Sequence, residues 1–421
     1  MQHAYLIDVK TYVKSLNRLL LANKVRMAII AGLTAISIAF IGGLGAVAPR
    51  MRLTRNYLLE TMGENATDYD LQLLYEMDLL ATRMSAMSFA FPGLFILVTV
   101  LVVFMTLTRM VETERTQIGC LLTMGYSKTH VQTKYLTFTG LATLAGCVVG
   151  VLVGHFVFYP IFFASAVQSF TLPNLPPTAP TFGLVAALIT LAFTLLTTFF
   201  TVMKTMQSRP ATLLRGRAPK VGGKVFLEHL PFLWRPLPFR YKSALRNIFR
   251  YRVRFFTTVA SMVFSTALVF CGIAMSLSLE YTNAPELVET IRPISSIIVI
   301  FAVLLNAMVI YNITNINIDE RKREIATLKV LGYKNTEVCG YIFREIFMLT
   351  IIGVVIGLPV GYTLIGFMFD FIGFGNIEFV NWYVWLLTGI LALSSLALAN
   401  LLLFRKVHKI NMNSSLKTVD S

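Results

Sequence analysis

The chain alternates between long apolar runs and short charged segments. Eight of the apolar runs are long enough, at roughly 20 residues per span, to cross a bilayer as a helix. Because backbone polar groups must be paired inside lipid, all eight are expected to be helical. The predicted fold is an all-α polytopic bundle. Its predicted spans cover about 27–48, 87–110, 134–160, 182–204, 254–278, 294–316, 341–368 and 382–404.

Two charged interruptions of the apolar pattern, residues 111–126 and 318–333, are similar in sequence and lie 207 positions apart. Each predicts a short amphipathic helix with one apolar stripe and a glycine that ends the helix. The predicted stripes are Ile118, Leu121 and Gly125 in the first segment and Ile325, Leu328 and Gly332 in the second. In the second segment, Glu320 and Glu324 are expected to share another face, one turn apart.

Glycines recur every fourth residue in two of the predicted spans, again 207 positions apart. Such spacing lets helix backbones approach closely in lipid, so a packing role is predicted. The two sets are Gly146, Gly150 and Gly154, and Gly353, Gly357 and Gly361. With matching segments before the first span of each half, at an offset of 228, the pattern predicts two copies of a four-helix unit in parallel orientation.

The expected organisation follows from this duplication. An amphipathic interfacial helix at 1–26 precedes a first unit at 27–215, and a linker at 216–239 leads to a second unit at 240–417. The first unit is expected to carry two short helices around a turn at 49–86, which form a helical hairpin on the outer side.

The composition places the chain in a membrane rather than in a soluble globule. It has 56% apolar and 14% charged residues, a mean hydropathy of +0.69 and a net charge of +16. If both termini are inside, the inner segments hold 32 Lys and Arg against 10 Asp and Glu, and the outer segments hold 5 against 11. This asymmetry predicts cytoplasmic termini in the inner membrane. Basic residues that flank membrane helices also explain the net charge without a nucleic-acid partner.

No motif for chemistry is present. The sequence has no phosphate-binding loop, no serine-hydrolase elbow and no metalloprotease or Cys-x-x-Cys motif, so no catalytic, cofactor or metal site is expected. The four cysteines are expected to be packing residues. Few polar residues fall at membrane depth, and helix-to-helix hydrogen bonds are the simplest role for them. They are His155, Asn306, Asn312, Asn315 and Asn400, with Glu280 and Asp370 near outer ends.

The second amphipathic segment resembles the signature of FtsX-like (MacB-type) ABC transporter permeases. The matching residues are Glu320, Arg321, Glu324, Ile325, Leu328 and Gly332, and the first copy is similar at Glu112, Glu114, Arg115, Ile118, Leu121 and Gly125. The resemblance implies that both segments are coupling helices that contact a separate nucleotide-binding subunit. Such permeases often carry a large outer domain, whereas this chain has only the hairpin and a short loop.

The sequence therefore predicts a non-catalytic permease subunit that works with a cytoplasmic ABC ATPase, expected as a dimer. It would export or extract a hydrophobic or amphiphilic substrate, or carry mechanical motion across the membrane. Membrane lipid and an outer protein at the hairpin are the other expected partners. A repeat-built secondary transporter is the main alternative, although its expected buried charges and interrupted helices are lacking. A scaffold that recruits an outer protein is another.

Overall fold

The computed structural model describes most of the chain, and the regular structure in those residues is helical. The described residues are 9–62, 67–166, 179–208, 210–214, 242, 246, 252–278, 285–373 and 375–408. Residues 63–66, the linker 216–239 and most of residues 240–251, which precede the first span of the second unit, lie outside them. So do residues 409–421, which include the predicted end of the second unit.

The first half contains nine α-helices among the described residues. They are α1 (Val9–Ala22), α2 (Lys24–Gly45), α3 (Val47–Met62), α4 (Asp68–Thr113), α5 (Arg115–Thr123), α6 (Lys128–Val153), α7 (Tyr159–Ala166), α8 (Thr181–Met206) and α9 (Pro210–Leu214). A π-helical turn at Gly154–Phe158 joins α6 to α7. The second half contains α10 (Arg252–Ser278), α11 (Pro285–Glu320), α12 (Lys322–Val330), α13 (Asn335–Ile372) and α14 (Trp382–His408).

Eight helical segments are long and apolar enough to span a membrane, which confirms the predicted number. They are Lys24–Thr61, Asp70–Thr113, Lys128–Ala166, Thr181–Met206, Phe255–Ser278, Ile291–Glu320, Asn335–Ile372 and Trp382–His408. Several are longer than predicted because the helix continues beyond the apolar run into amphipathic sequence. The helical conformation pairs the backbone N–H and C=O groups there as well.

The predicted hairpin of two short helices at 49–86 differs in the structure. Its first arm, α3, follows α2 after a single intervening residue, Ala46, and its second arm is the beginning of the 46-residue α4. The arms are therefore extensions of membrane helices. Thr67 caps α4 by accepting a hydrogen bond from the Asp70 backbone N–H, and Arg55 forms an ion pair with Asp78 across the arms at 3.6 Å.

The same helix neighbours occur in both halves. In the first half α2 packs against α4, α6 and α8, and α8 also packs against α4 and α6. In the second half α10 packs against α11, α13 and α14, and α14 also packs against α11 and α13. The halves meet chiefly along their first and second spans, where α4 contacts α10 and α11, and α11 contacts α2. The third spans also take part, since α11 contacts α7 and α13 contacts α4.

The repeated glycines lie in close contact with the first span of their own half. A Cβ atom at Gly150 would lie 2.8 Å from Ile38 Cβ and 2.9 Å from the Ala35 carbonyl oxygen on α2. One at Gly357 would lie 2.9 Å from both Thr266 Cβ and the Val263 carbonyl oxygen on α10. The glycines thus let the third span of each half pack directly on the first.

A buried hydrogen bond also repeats between the first two spans of each half. Ser37 and Thr99 are joined at 2.7 Å, and Ser265 donates to Asn306 at 3.0 Å. These pairs occupy matching positions at the offsets of 228 and 207 found in the sequence. In each pair two buried polar atoms that would be costly to leave unpaired inside lipid gain a partner, although the amide nitrogen of Asn306 has none within the described residues.

Candidate functional site

The first predicted coupling segment folds as a short helix that directly follows the end of a membrane span. α4 ends at Thr113, Glu114 leaves the helical conformation, and α5 begins at Arg115. The left-handed Gly125, with a φ of 89°, ends the segment, and the Tyr126 N–H donates to the Leu121 carbonyl at 3.1 Å. The amphipathic helix is thus shorter than the predicted 111–126, because its first residues belong to the span.

The second segment repeats this arrangement. α11 ends at Glu320, Arg321 interrupts the helix, and α12 runs from Lys322 to Val330. Gly332, with a φ of 88°, ends the segment as predicted, and the Tyr333 N–H donates to the Leu328 carbonyl at 3.1 Å. The interruptions at Glu114 and Arg321 are 207 residues apart.

The predicted apolar stripes face the protein itself. Ile118 and Ile325 are buried, and Leu121 and Leu328 are half-buried. These side chains therefore hold α5 and α12 onto the bundle. They leave other residues as the outward surface of the two helices.

That outward surface combines an apolar tip with a polar or charged face. The tip residues are Met124 after α5, and Val330, Leu331 and Tyr333 at the end of α12, all more than half exposed. Gln117 on α5 is exposed, and the side chain of Glu324 at the matching position on α12 is 61% exposed. Together these residues form two small surfaces at the same end of the bundle. This end carries the predicted inner segments, which are rich in Lys and Arg, and is here called the basic end.

Glu320 and Glu324 do not share a face, contrary to the prediction. Glu320 is the last residue of α11, and its carboxylate accepts hydrogen bonds from Arg109 of the first half at 2.8 and 3.1 Å. The interruption at Arg321 changes the direction of the chain before Glu324, so only Glu324 reaches the outward surface.

Arg321 is also turned inward. It forms a buried ion pair with Glu345 on α13, and its guanidinium carbon lies 5.8 Å from the ring centre of Tyr341. In the first half, Glu114 has the matching position and accepts hydrogen bonds from Tyr135 on α6 at 2.8 Å and from Asn23 at 3.1 Å. Each interruption is therefore tied to the third span of its own half, by an ion pair at Arg321 and by a hydrogen bond from a tyrosine hydroxyl at Glu114.

The amphipathic helix of the first half is held by α9, which follows the fourth span, and that of the second half by the last turn of the fourth span, α14. Arg115 donates to the Thr212 carbonyl at 2.6 Å, and Gly119 allows α9 to lie against α5 near Leu213. Lys329 donates to the carbonyls of Val407 and His408 at 2.9 and 3.2 Å. Glu112, the remaining predicted residue of the site, lies exposed in the last turn of α4.

Sequence reasoning missed the residues that anchor these helices, chiefly Arg109, Tyr135, Glu345 and Lys406. Lys406 on α14 forms an ion pair with Asp319 at 2.7 Å and donates to Asn315. Their one sequence signal is an ionisable or phenolic group at the end of an apolar span. Their partners are up to 211 residues away, and no local pattern identifies them.

Comparison with protein families identifies the chain. The model described as FtsX-like permease C-terminal matches residues 89–210 and 296–412. The chain belongs to the FtsX-like permease family. Each matched segment of this FtsX-like permease begins within a second span and continues through an amphipathic helix, a third span and a fourth span. The segments begin 207 residues apart, which is the offset of the internal similarity, and end 202 residues apart.

Membership makes the protein a multi-pass permease subunit of an ABC transporter. Comparisons with curated proteins and with solved structures gave no match. The polar residues singled out at membrane depth partly form the expected bonds between helices, since Asn306 pairs with Ser265 and Asn312 donates to Thr106. His155 stacks on Tyr159 within the π-helical region, with ring centres 5.8 Å apart.

Proposed function

We propose that this chain is a MacB-type permease, built from two four-helix units, on which two cytoplasmic ABC ATPase subunits dock through α5 and α12. The observation that carries the proposal is the pair of amphipathic helices, each branching from a second span and each exposing an apolar tip. The repeated helix neighbours, glycine contacts and hydrogen bonds support the two units. One chain then offers one docking surface to each ATPase subunit.

The proposed output is extraction or export of a hydrophobic or amphiphilic substrate, or mechanical motion delivered to the outer side. The packed interface between the units supports this over ion transport, because its middle is filled by buried apolar side chains. At membrane depth Asn312 donates to Thr106 across this interface, whereas the Ser37–Thr99 and Ser265–Asn306 bonds each lie within one unit.

A partner on the outer side is proposed at the hairpin of α3 and α4. At about 1.5 Å per residue α4 is about 69 Å long, whereas the hydrocarbon core is about 30 Å thick, so the hairpin extends beyond the bilayer. Leu71, Tyr75 and Leu79 repeat every fourth residue on its exposed face. An exposed apolar stripe beyond the lipid suits a protein contact.

The test of the main proposal is purification of the tagged chain from its native membrane in mild detergent. We expect a P-loop ATPase to co-purify in a ratio of two subunits to one chain. The permease stripped of that ATPase should hydrolyse no ATP, and recombining the two should raise hydrolysis above that of the ATPase alone. Turnover by the stripped chain that survives repurification, or a complex containing two permease chains, would contradict the proposal.

The expected topology places both termini, the linker and the basic end in the cytoplasm. Single cysteines at Ser127 and Lys224, in a chain without its four native cysteines, should resist an impermeant thiol reagent in intact cells. A cysteine at Thr67, at the start of α4, should react. The opposite labelling pattern would reverse the orientation.

The two docking surfaces are expected to differ in charge sensitivity. Glu324→Lys should reduce stimulation of the ATPase more than Gln117→Lys, because reversing a charge leaves its partner both unmatched and repelled. Leu331→Asp and Met124→Asp should both weaken docking, since each places a charge in an apolar tip. ATPase rates and co-purification of the four variants decide this, and equal effects at positions 117 and 324 would count against a charged second contact.

A further inference from the structure

The interface between the two halves changes character along its length. Towards the end opposite to α5 and α12 it holds a phenylalanine cluster, formed by Phe40, Phe95, Phe158, Phe162 and Phe301. At the basic end it holds a polar seam, formed by Thr106, Arg109, Thr258, Asn312 and Glu320. Along α11 the two are about 16 Å apart, from Phe301 to Asn312 at about 1.5 Å per residue.

The phenylalanine cluster joins the halves by ring packing. Phe301 of the second half lies 5.4 Å from Phe40 and 4.6 Å from Phe158 of the first, measured between ring centres. Phe40 also stacks on Phe95 at 4.6 Å. Parting these rings would lose close contacts that nothing in a dry interior replaces.

The polar seam joins the halves by hydrogen bonds. Asn312 donates to Thr106 at 2.9 Å, and Arg109 contacts both Glu320 and Thr258, the latter at 3.4 Å. The amide oxygen of Asn312 accepts no bond within the described residues, although Asn312 is fully buried. Water at the end of the span can replace such bonds and can also satisfy this oxygen, so opening here is far less costly than at the rings.

The polar seam is also one-sided. At the offset of 207, the positions that match Thr106, Arg109 and Asn312 are Ile313, Ile316 and Met105, all buried and apolar. The position that matches Glu320 is Thr113. The charged link therefore connects the first half to the base of α12, and the repeat does not reproduce it at the base of α5.

We propose that the polar seam is a one-sided latch that opens towards the basic end during the ATP cycle, while the phenylalanine cluster acts as the pivot. Arg109 is a positioning residue in this device, because it holds the base of the second docking helix against the other unit. A pull on α12 then acts first on Glu320, one residue before the interruption at Arg321. This inference rests on the proposed docking of ATPases at α5 and α12.

The experiment uses the complex of the chain with its co-purified ATPase, in vesicles, with the four native cysteines replaced. Asn312→Cys and Thr106→Cys report on the polar seam, and Ala302→Cys is the control beside the phenylalanine cluster. During ATP turnover, an impermeant thiol reagent on the basic side should label the seam positions about tenfold faster, as expected when a buried site gains a minor open population. Labelling of Ala302→Cys should not change.

A second measurement separates movement from a merely structural role. Arg109→Cys combined with Glu320→Cys, bridged by a short reversible bifunctional thiol reagent, should lose most of the stimulated ATP hydrolysis and regain it on reduction. Each single variant treated in the same way should keep its own activity. A labelling rate at the seam positions that does not change during ATP turnover would overturn the proposed latch. So would full stimulation of ATP hydrolysis by the bridged protein. If the unmodified chain fails to stimulate the ATPase at all, the proposed function fails instead.

Discussion

Replacing Gly150 or Gly357 by leucine is expected to prevent the affected half of the bundle from assembling. Each glycine lies against the backbone of the first span, where an added Cβ would be 2.9 Å from a carbonyl oxygen of α2 or α10. A helix backbone cannot yield as a side-chain end can, so the two spans must separate along the whole contact. Overpacking costs about 1–3 kcal/mol in ordinary cores, and a leucine at a backbone contact should exceed that range.

Matched controls are available in the same chain. Gly93 and Gly389 also lie in membrane spans, and a Cβ atom at either has no neighbour within 4 Å. Gly93→Leu and Gly389→Leu should therefore leave expression, the monodisperse fraction in detergent and the thermal midpoint close to those of the unmodified protein. A loss of folded protein that is as large in the controls as in Gly150→Leu and Gly357→Leu would show that membrane insertion is affected, and not packing.

These glycines show how much of the fold is readable from the sequence. Their spacing predicts close packing, and the same spacing in both halves predicts the same partner helix in each. The eight spans are predictable for a similar reason, since the requirement for paired backbone groups in lipid leaves helices as the form of each long apolar run. Gly125 and Gly332 end the amphipathic helices because a left-handed residue is required there.

The sequence was a poorer guide to the direction in which charged residues point. Helical periodicity placed Glu320 beside Glu324. In the structure the helix is interrupted at Arg321, so the two glutamates belong to different helices. The interruption itself has no glycine or proline to mark it. It depends on contacts with Arg109 and Glu345, which come from distant parts of the chain, and only the packed bundle brings those groups together.

The two interruptions support the proposed role of α5 and α12 in transmitting force. Each is continuous with a second span on one side and is tied to the third span through the interrupted residue. A further contact supports each helix, from α9 after the fourth span for α5 and from the last turn of α14 for α12. Motion of α5 or α12 would thus reach three spans of its unit, whereas a helix on a loose loop would move alone.

Replacing Glu345 by alanine is expected to destabilise the second half strongly, because it leaves the buried guanidinium of Arg321 without its carboxylate. Both side chains are 6% exposed, and removing one partner of a buried ion pair typically costs about 3–5 kcal/mol. The matched control is Glu324→Ala, whose carboxylate is 61% exposed and 3.8 Å from the same arginine; exposed pairs contribute at most about 1 kcal/mol. Thermal unfolding in detergent should therefore separate the two variants clearly.

The double variant Arg321→Met with Glu345→Leu should recover much of the lost stability, since an apolar pair of similar volume removes the stranded charge. Recovery of stability without recovery of ATPase stimulation would assign the ion pair to coupling as well as to folding, whereas equal thermal midpoints for Glu345→Ala and Glu324→Ala would show that Arg321 has another partner.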